Sequence, residues 1–488
     1  MLKEYFSMLT AQFKFRAMEF TGAMELKKRH FEAAGYGPRT DKWYRRSRGP
    51  ISDNMSGLAR LRGFSRDLVR NNPYAQRAVN IIAKNTVGTG ITPTFKGANE
   101  DAIKRRWAAW AGKKSCDFND LMNLAGLQEQ VMRAVAESGD AIILRRYNFD
   151  NPMGFELQVL ESDYLDETVT RPEPDGGFVL QGVAFNNRGK RVGYYLHEQH
   201  PTDLKYNATA YQSRLVPASE VIHVFEVLRP GQVRGIPMGV SAFIRMKDFD
   251  EFQDAQLYKQ KVASLFVMTV TNSVAPMGSN GQYQPYDGLD RMIPGAIEEL
   301  PFGKDIKFSQ PPTTEGTPEY MRAVLQSIAV GYNVTYEALT NDYSNVNFSS
   351  GRMGWLEFSR NVQSWQDNIM ITMFCEPVYE WFQQGLKLMG GYASNIDITW
   401  TTPRREMIDP MKEGAAALAL IKGGIISRQE FQRQLGYDPA DMEAEIKQDM
   451  EVDKKLDATF STSVKTIEAP KPATTSTKVT AVKTVAKK

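Results

Sequence analysis

Few residues in this 488-residue sequence stand at spacings that could do chemistry. His197 and His200 are three apart, a spacing that could present two imidazoles to a metal. Pro201 follows them, no acidic or cysteine partner is placed in sequence to complete a site, and four histidines in all leave little room for a histidine-rich one. Glu137 and Asp140 could pair for acid–base work, but at a helix-to-strand turn they read as capping residues. Val221-Ile-His-Val-Phe-Glu226 has the apolar-strand-plus-acid pattern of nucleotide hydrolases. Without a G-x-x-x-x-G-K-[ST] loop it reads as an ordinary buried strand. Cys116 and Cys375 have no activating base nearby in sequence. G-x-G-x-x-G, H-E-x-x-H and G-x-S-x-G are all missing. No catalytic residue, metal or cofactor is therefore assigned, and the chain does not read as an enzyme. One cluster suits polyanions: Arg39, Lys42, Trp43, Tyr44, Arg45, Arg46 and Arg48. Interleaved cations and rings could grip nucleic acid by phosphate pairing and stacking, or staple an arm onto a neighbouring subunit.

The charge distribution sharpens this. The formal net charge is +3, but residues 1–70 carry 15 Lys and Arg against 7 Asp and Glu, and residues 461–488 carry six Lys against Glu468. Residues 71–460 therefore sum to −10. An acidic body with two basic ends suggests contact with polyanions at the ends, with solubility the plainer use of the C-terminal one. Two cysteines exclude a disulfide scaffold and fit a reduced compartment. The purest apolar stretches, such as 415–421, fall far short of the ~20 residues a spanning helix needs, and residues 1–20 lack the apolar run of a signal peptide.

Periodicity and turn residues predict a mixed order of elements, an α+β class. Helices are expected over 58–71, 74–85, 102–111 and 121–137, the first ended by Asn72-Pro73. Short strands follow at 141–145, 156–160, 177–185, 192–196 and 221–225, with Asn186-Asn-Arg-Gly189 as a hairpin turn. Residues 240–267 read as one long helix whose apolar stripe includes Met246, Phe249, Phe252, Ala255 and Tyr258. A Gly/Pro-rich stretch with brief strands covers 269–314, and Thr317 N-caps a helix to about 332. A polar loop covers 336–350. Helix 351–389 should kink near Met373 because of Pro377. A strand at 395–400 and three helices opened by Asp409, Ser427 and Asp438 complete the ordered part. Beyond Thr459 the composition cannot bury a core.

Several stretches, in order, resemble the lambda family of bacteriophage portal proteins. They are Ser65-Arg-Asp-Leu-Val-Arg-Asn-Asn-Pro73, Val87-Gly-Thr-Gly-Ile91, Arg234-Gly-Ile-Pro237, and Tyr336-Glu-Ala-Leu-Thr340 through Asn347-Phe-Ser-Ser-Gly-Arg352. Where the family commonly has an aromatic after the Gly-x-Pro, this chain has Met238. The resemblance implies a portal fold divided as follows: a basic N-terminal arm 1–57, a mixed α/β wing 58–238, a stem helix 239–267, a clip 268–316, and a second stem helix 317–335. A tunnel loop 336–350, a kinked wing helix and strand 351–408, a helical crown 409–456 and a disordered basic tail 457–488 would follow.

The resemblance also implies a cyclic homo-oligomer, usually of twelve subunits, at one capsid vertex of the virion, assembled in the host cytoplasm. Double-stranded DNA would pass through it without sequence specificity. Partners would be the terminase large subunit, the major capsid protein and head-completion or adaptor proteins, with no membrane and no cofactor. Thr340, Asn341, Asp342, Tyr343, Ser344, Asn345 and Asn347 would face DNA, and Met246, Phe249, Phe252, Ala255 and Tyr258 would meet the neighbouring subunit in the stem. Rival readings are a packaging-associated nuclease or protease, which would need a carboxylate cluster or an activated nucleophile, and another capsid or adaptor protein, which would not be expected to carry this order of elements. Limited proteolysis should remove 461–488 and leave a folded protein; resistance of that segment would show that it is docked.

Overall fold

The computed structural model describes residues 49–50, 57–97, 99–202, 212–264, 268–272, 304–308, 316–389, 396–403 and 409–456. The chain divides into two units, Met1–Asp53 and Asn54–Lys488, and the elements below belong to the second.

Helix α1 (Leu58–Asn71) ends where Pro73 forbids continuation, and Asn72 turns the chain into α2 (Pro73–Val87). The Asn72 carboxamide caps α2, accepting from Tyr74 N–H at 2.9 Å and Ala75 N–H at 3.1 Å. After strand β1 (Thr92–Lys96) come α3 (Glu100–Ala111) and α4 (Leu124–Ser138), the latter capped by Asn123. Leu127, Val131, Met132 and Val135 recur at helical spacing on α4 and are buried with Ala75, Ala78, Val79 and Ile82 of α2 in one core.

Strands β2 (Asp140–Tyr147), β3 (Phe155–Glu161) and β9 (Val221–Phe225) form an antiparallel sheet with β2 in the centre. A second antiparallel sheet runs in sequence order through β4 (Arg171–Pro172), β5 (Phe178–Leu180), β6 (Val183–Phe185), β7 (Arg191–His197) and β8 (Ser213–Pro217). The single strand expected over 177–185 is thus a hairpin. Gln181 and Gly182, with φ of 49° and 79°, fold it back on itself. The expected turn at 186–189 is present. Its Asn186 acts as an acceptor from Arg188 and Lys190 N–H, while Gly189 alone of the four takes positive φ. The loop expected around 88–93 runs into β1, which pairs with β12 (Asp397–Thr401). Pro93 is tolerated there because a two-stranded ladder has only edge strands.

Helix α5 (Phe243–Ser264) leads to β10 (Met268–Asn272), which pairs antiparallel with β11 (Lys304–Phe308) before α6 (Thr317–Gly331). Gly316, not Thr317, holds the N-cap position of α6, in a left-handed conformation and without a side-chain cap. A short helix, α7 (Tyr336–Thr340), precedes α8 (Phe348–Trp365). Around Met373, where the kink is expected, residues Gln366–Cys375 form a π-helix, which passes into α9 (Glu376–Leu388) with Pro377 in its first turn. Glu376 N–H reaches back to Ile371 O, and the Thr372 hydroxyl donates to Asp367 O at 2.8 Å. The wider turn leads into a residue that offers no N–H. Helices α10 (Pro410–Lys422), α11 (Arg428–Gln434) and α12 (Pro439–Leu456) close the described chain, the first two capped by Asp409 and Ser427 as the sequence indicates.

Aromatic side chains join the distant parts. Trp107 and Trp110 of α3 meet Phe382 of α9 at 4.9 and 5.8 Å between ring centroids, and Trp110 lies 4.8 Å from Phe155 of β3. The Trp110 indole N–H donates to Phe155 O at 3.2 Å, so the buried ring keeps its one polar atom paired.

The buried charge sits at the α4–β2 junction. Asp140 does not cap a helix there. Its carboxylate is fully buried and accepts from Arg234 Nε at 2.6 Å, from His223 Nε2 at 3.1 Å and from Gly235 N–H at 3.4 Å. Arg234 also donates to Ser162 O at 3.1 Å. The chain passes so closely that a Cβ on Gly235 would stand 1.9 Å from Gly139 O. Burial alone would raise the Asp140 pKa, but Arg234 and His223 outweigh it and hold the carboxyl well below its usual range. Burial also depresses His223 to about 4, against the pull of Asp140.

Two predictions follow from this junction. Arg234→Ala strands a buried carboxylate and should cost about 3–5 kcal/mol in denaturant unfolding, whereas the double change Asp140→Asn, Arg234→Met should cost less than the single one. His223 is neutral in the folded state, and the unfolded chain takes up a proton near pH 6.5 that the folded chain refuses until about pH 4. Stability is therefore fully present above pH 6.5 and falls as pH drops toward 4, by on the order of 3 kcal/mol. Asp140 adds a further loss below its ordinary value of 3.8. In His223→Gln, Tm should decline less between pH 7 and 4.5 than in the parent; parallel declines would refute the assignment.

Candidate channel loop and stem surface

The polar loop is more built than its sequence indicates. Thr335 caps α7, accepting from Ala338 N–H at 3.2 Å, and Asn341 closes that helix with φ of 57°. At the other end Asn347 and Ser350 form a reciprocal capping box for α8, with Asn347 Oδ1 accepting at 2.8 Å and Ser350 Oγ at 3.1 Å. Between these caps, Asp342 accepts from Ser344 N–H at 3.1 Å, from Ser344 Oγ at 2.6 Å and from Tyr336 Oη at 3.1 Å. The Ser344 hydrogen bonds are the main reason its carboxyl lies below the ordinary carboxylate value. Thr340 donates to Tyr336 O at 2.9 Å. Tyr343 is 61% exposed, and Asn341, Ser344, Asn345 and Asn347 are exposed as well.

The sequence places no Lys or Arg in 340–347, yet two arginines from elsewhere reach the loop. Arg77 of α2 donates from Nε to Ala338 O at 3.1 Å and from Nη2 to Asn341 Oδ1 at 2.8 Å. Arg322 of α6 lies over the Tyr336 ring, 5.3 Å from its centroid. The Asn345 carboxamide faces the same guanidinium. With its oxygen turned inward it accepts from Arg322 Nη1 at 2.6 Å and Nη2 at 3.2 Å. Sequence reasoning missed both arginines because they lie 264 and 23 residues from their loop partners; nothing local marks them.

The expected stem stripe divides in two. Met246 and Phe249, at 0% and 1% exposure, belong to the subunit's own core, and Phe249 meets Tyr74 of α2 edge-on at 5.9 Å. Neither is open to a neighbour, which corrects their assignment as interface residues: the subunit's own core already covers that end of α5. Phe252 is half-buried against Tyr320 of α6, with ring centroids 4.8 Å apart. Ala255 is exposed and Tyr258 is 70% exposed. Ile244, Leu257 and Val330 add exposed apolar surface on α5 and α6. The basic cluster Arg39, Lys42, Trp43, Tyr44, Arg45, Arg46 and Arg48 lies outside the described residues, as do most of 268–316 and all of 457–488.

The remaining chemical candidates resolve as structure. Folding gives His200 the acidic neighbours its sequence lacks: the donor atoms of Glu161, Asp163 and His200 lie within 4.8 Å of one another. Cations already serve these carboxylates, however. Arg66 pairs with Glu161 at 2.9 Å and also with Asp163, and Arg62 binds Asp163 at 3.3 Å. His197 stands 3.9 Å from Asp166. Cys116 and Cys375 are buried; burial pushes the Cys116 thiol up to about 12 and raises Cys375 further, so neither is a thiolate nucleophile. Residues Val221–Phe225 form a wholly buried strand.

The sequence profile of the phage portal protein, lambda family, matches residues 36–366. The probable portal protein of Halomonas phage phiHAP-1 is 25% identical over 88% of this chain and 87% of its own. Portal protein B of Escherichia phage lambda is 22% identical over 84% of this chain and 86% of its own. A chain from the virion of a native gene transfer agent particle is similar with a TM-score of 0.49 at 15% identity, over 79% of this chain and 94% of that one. With the matched region running from before α1 to the end of α8, the chain belongs to the lambda family of phage portal proteins, which are structural components and not enzymes.

Proposed function

We propose that this chain forms a closed ring, of twelve copies by the usual number of its family, at one capsid vertex of the virion. Double-stranded DNA is packaged and ejected through the ring, and terminase docks on its outer end. In this reading α5 and α6 are the stem, β10 and β11 belong to the clip, residues 341–347 are the channel loop, α1 to β9 are the wing and α10 to α12 the crown. The major capsid protein surrounds the wing, and head-completion or adaptor proteins follow terminase.

The observation that carries this reading is the loop. It is an exposed, hydrogen-bond-rich segment with no cation of its own, set between a packed helix pair and α8. Such a surface can touch phosphates and sugars without gripping them, because each ion pair formed would add a salt-dependent hold. The net −10 of residues 71–460 works in the same direction. Exposed Ile244, Leu257, Tyr258 and Val330 on the two stem helices supply apolar surface for a neighbour, and a ring needs a heterologous contact of this kind.

Leu257→Asp with Tyr258→Asp should abolish rings in negative-stain images while helical content and Tm stay near the parent's, since both side chains are exposed in the subunit. Rings of normal appearance would remove α5 from the interface. Tyr343→Lys should add one cation per subunit at the loop. Assembled rings should then retain DNA with a log–log salt slope steeper by about 0.9 per phosphate engaged, and packaged DNA per capsid should shorten. Normal packaging by normal rings would mean that this loop does not face DNA.

A further inference from the structure

We propose that Arg322 and Arg77 are the positioning residues of the channel loop, together forming a two-point clasp that fixes where the loop stands. This rests on the channel reading above for its consequence, though not for its geometry.

Each arginine holds one end of the segment. Arg77 takes the C-terminal end of α7 through Ala338 O and Asn341 Oδ1. Arg322 takes the other end, with its guanidinium carbon over the Tyr336 ring and its nitrogens toward Asn345. Tyr336 then passes the restraint on: its hydroxyl donates to Asp342, which in turn accepts from Ser344. Arg322 also draws on Asp342 electrostatically, helping to keep that carboxylate ionised.

The choice of partners sets the strength of the clasp. Arg322 is half-buried and, among the described residues, binds a neutral carboxamide and a ring and not a carboxylate. A hydrogen bond from an ionised donor is roughly twice as strong as one between neutral groups, while a carboxamide brings no opposite charge, so this contact holds the loop more weakly than an ion pair would and leaves it releasable. Lysine cannot reproduce it, because it lacks both the planar face and the fork.

The test uses the full-length protein with Tyr343→Cys carrying a nitroxide. Cys116 and Cys375, at 0% and 2% exposure, leave the new thiol as the accessible one among the described residues. In the otherwise unaltered chain the spectrum should be dominated by an immobile component. Arg322→Gln should raise the mobile fraction about tenfold, the change expected from losing a hydrogen bond to a charged donor. Arg322→Lys should recover less than half of the restraint. Asn345→Ala breaks the same contact from the exposed side, so it keeps the test valid if the Arg322 variants fold poorly. It should reproduce the increase, and the double variant should add nothing further. An unchanged mobile fraction in both Arg322→Gln and Asn345→Ala overturns the clasp, and full recovery by Arg322→Lys overturns its fork-and-face geometry. Released loops in rings that package normally would count against the channel reading and leave the clasp standing.

Discussion

The contact on which the rest of this subunit depends is the ion pair between Asp140 and Arg234. A carboxylate and a guanidinium withdrawn from water are tolerated only when each finds several partners, and here β9, the Arg234 turn and the 3-10 turn at Ser162 all converge to provide them. The close passage of Gly139 and Gly235 lets the two charges meet, since any side chain at position 235 would collide with Gly139 O. Met238 N–H then bonds to Ala136 O, so α4 and the segment leading into α5 leave the junction in fixed directions. The direction of α5 decides which of its residues join the subunit's core and which remain outside.

Much of this order was legible in the sequence. The helix at 58–71, the buried strand at 221–225 and the caps at Asp409 and Ser427 depend on local signals: an N-capping side chain, a proline stop, an apolar run. The quoted family stretches proved to be joints. Asn72 caps α2 and also donates to Asp250 of α5 at 2.7 Å. Ile91 exchanges both backbone hydrogen bonds with the Gln128 carboxamide of α4, at 2.8 and 2.9 Å. Asn347 and Ser350 cap α8, and Arg352 approaches Glu413 at 3.9 Å.

What the sequence hid was pairing at a distance. A stripe of apolar residues at helical spacing does not say whether its partner is the same chain or the next one, and so Met246 and Phe249 were placed at an interface when they fill the subunit core. The loop read as free of cations because its arginines come from α2 and α6. Asp140 read as a cap because Arg234 is 94 residues away. In each case one partner is visible locally and the other depends on the fold.

The β1–β12 ladder sets a clock on synthesis. Its register couples Thr92 to Thr401 and Lys96 to Asp397, segments separated by about 300 residues. At about 5–20 residues per second a ribosome needs roughly 15–60 s to supply the second strand after the first has emerged. Trp400, which rides on that strand and packs 6.3 Å from Trp107, arrives only then. Until that strand emerges the aromatic core of α3 has one wall missing, and the nascent subunit is open to chaperone capture or to misassociation.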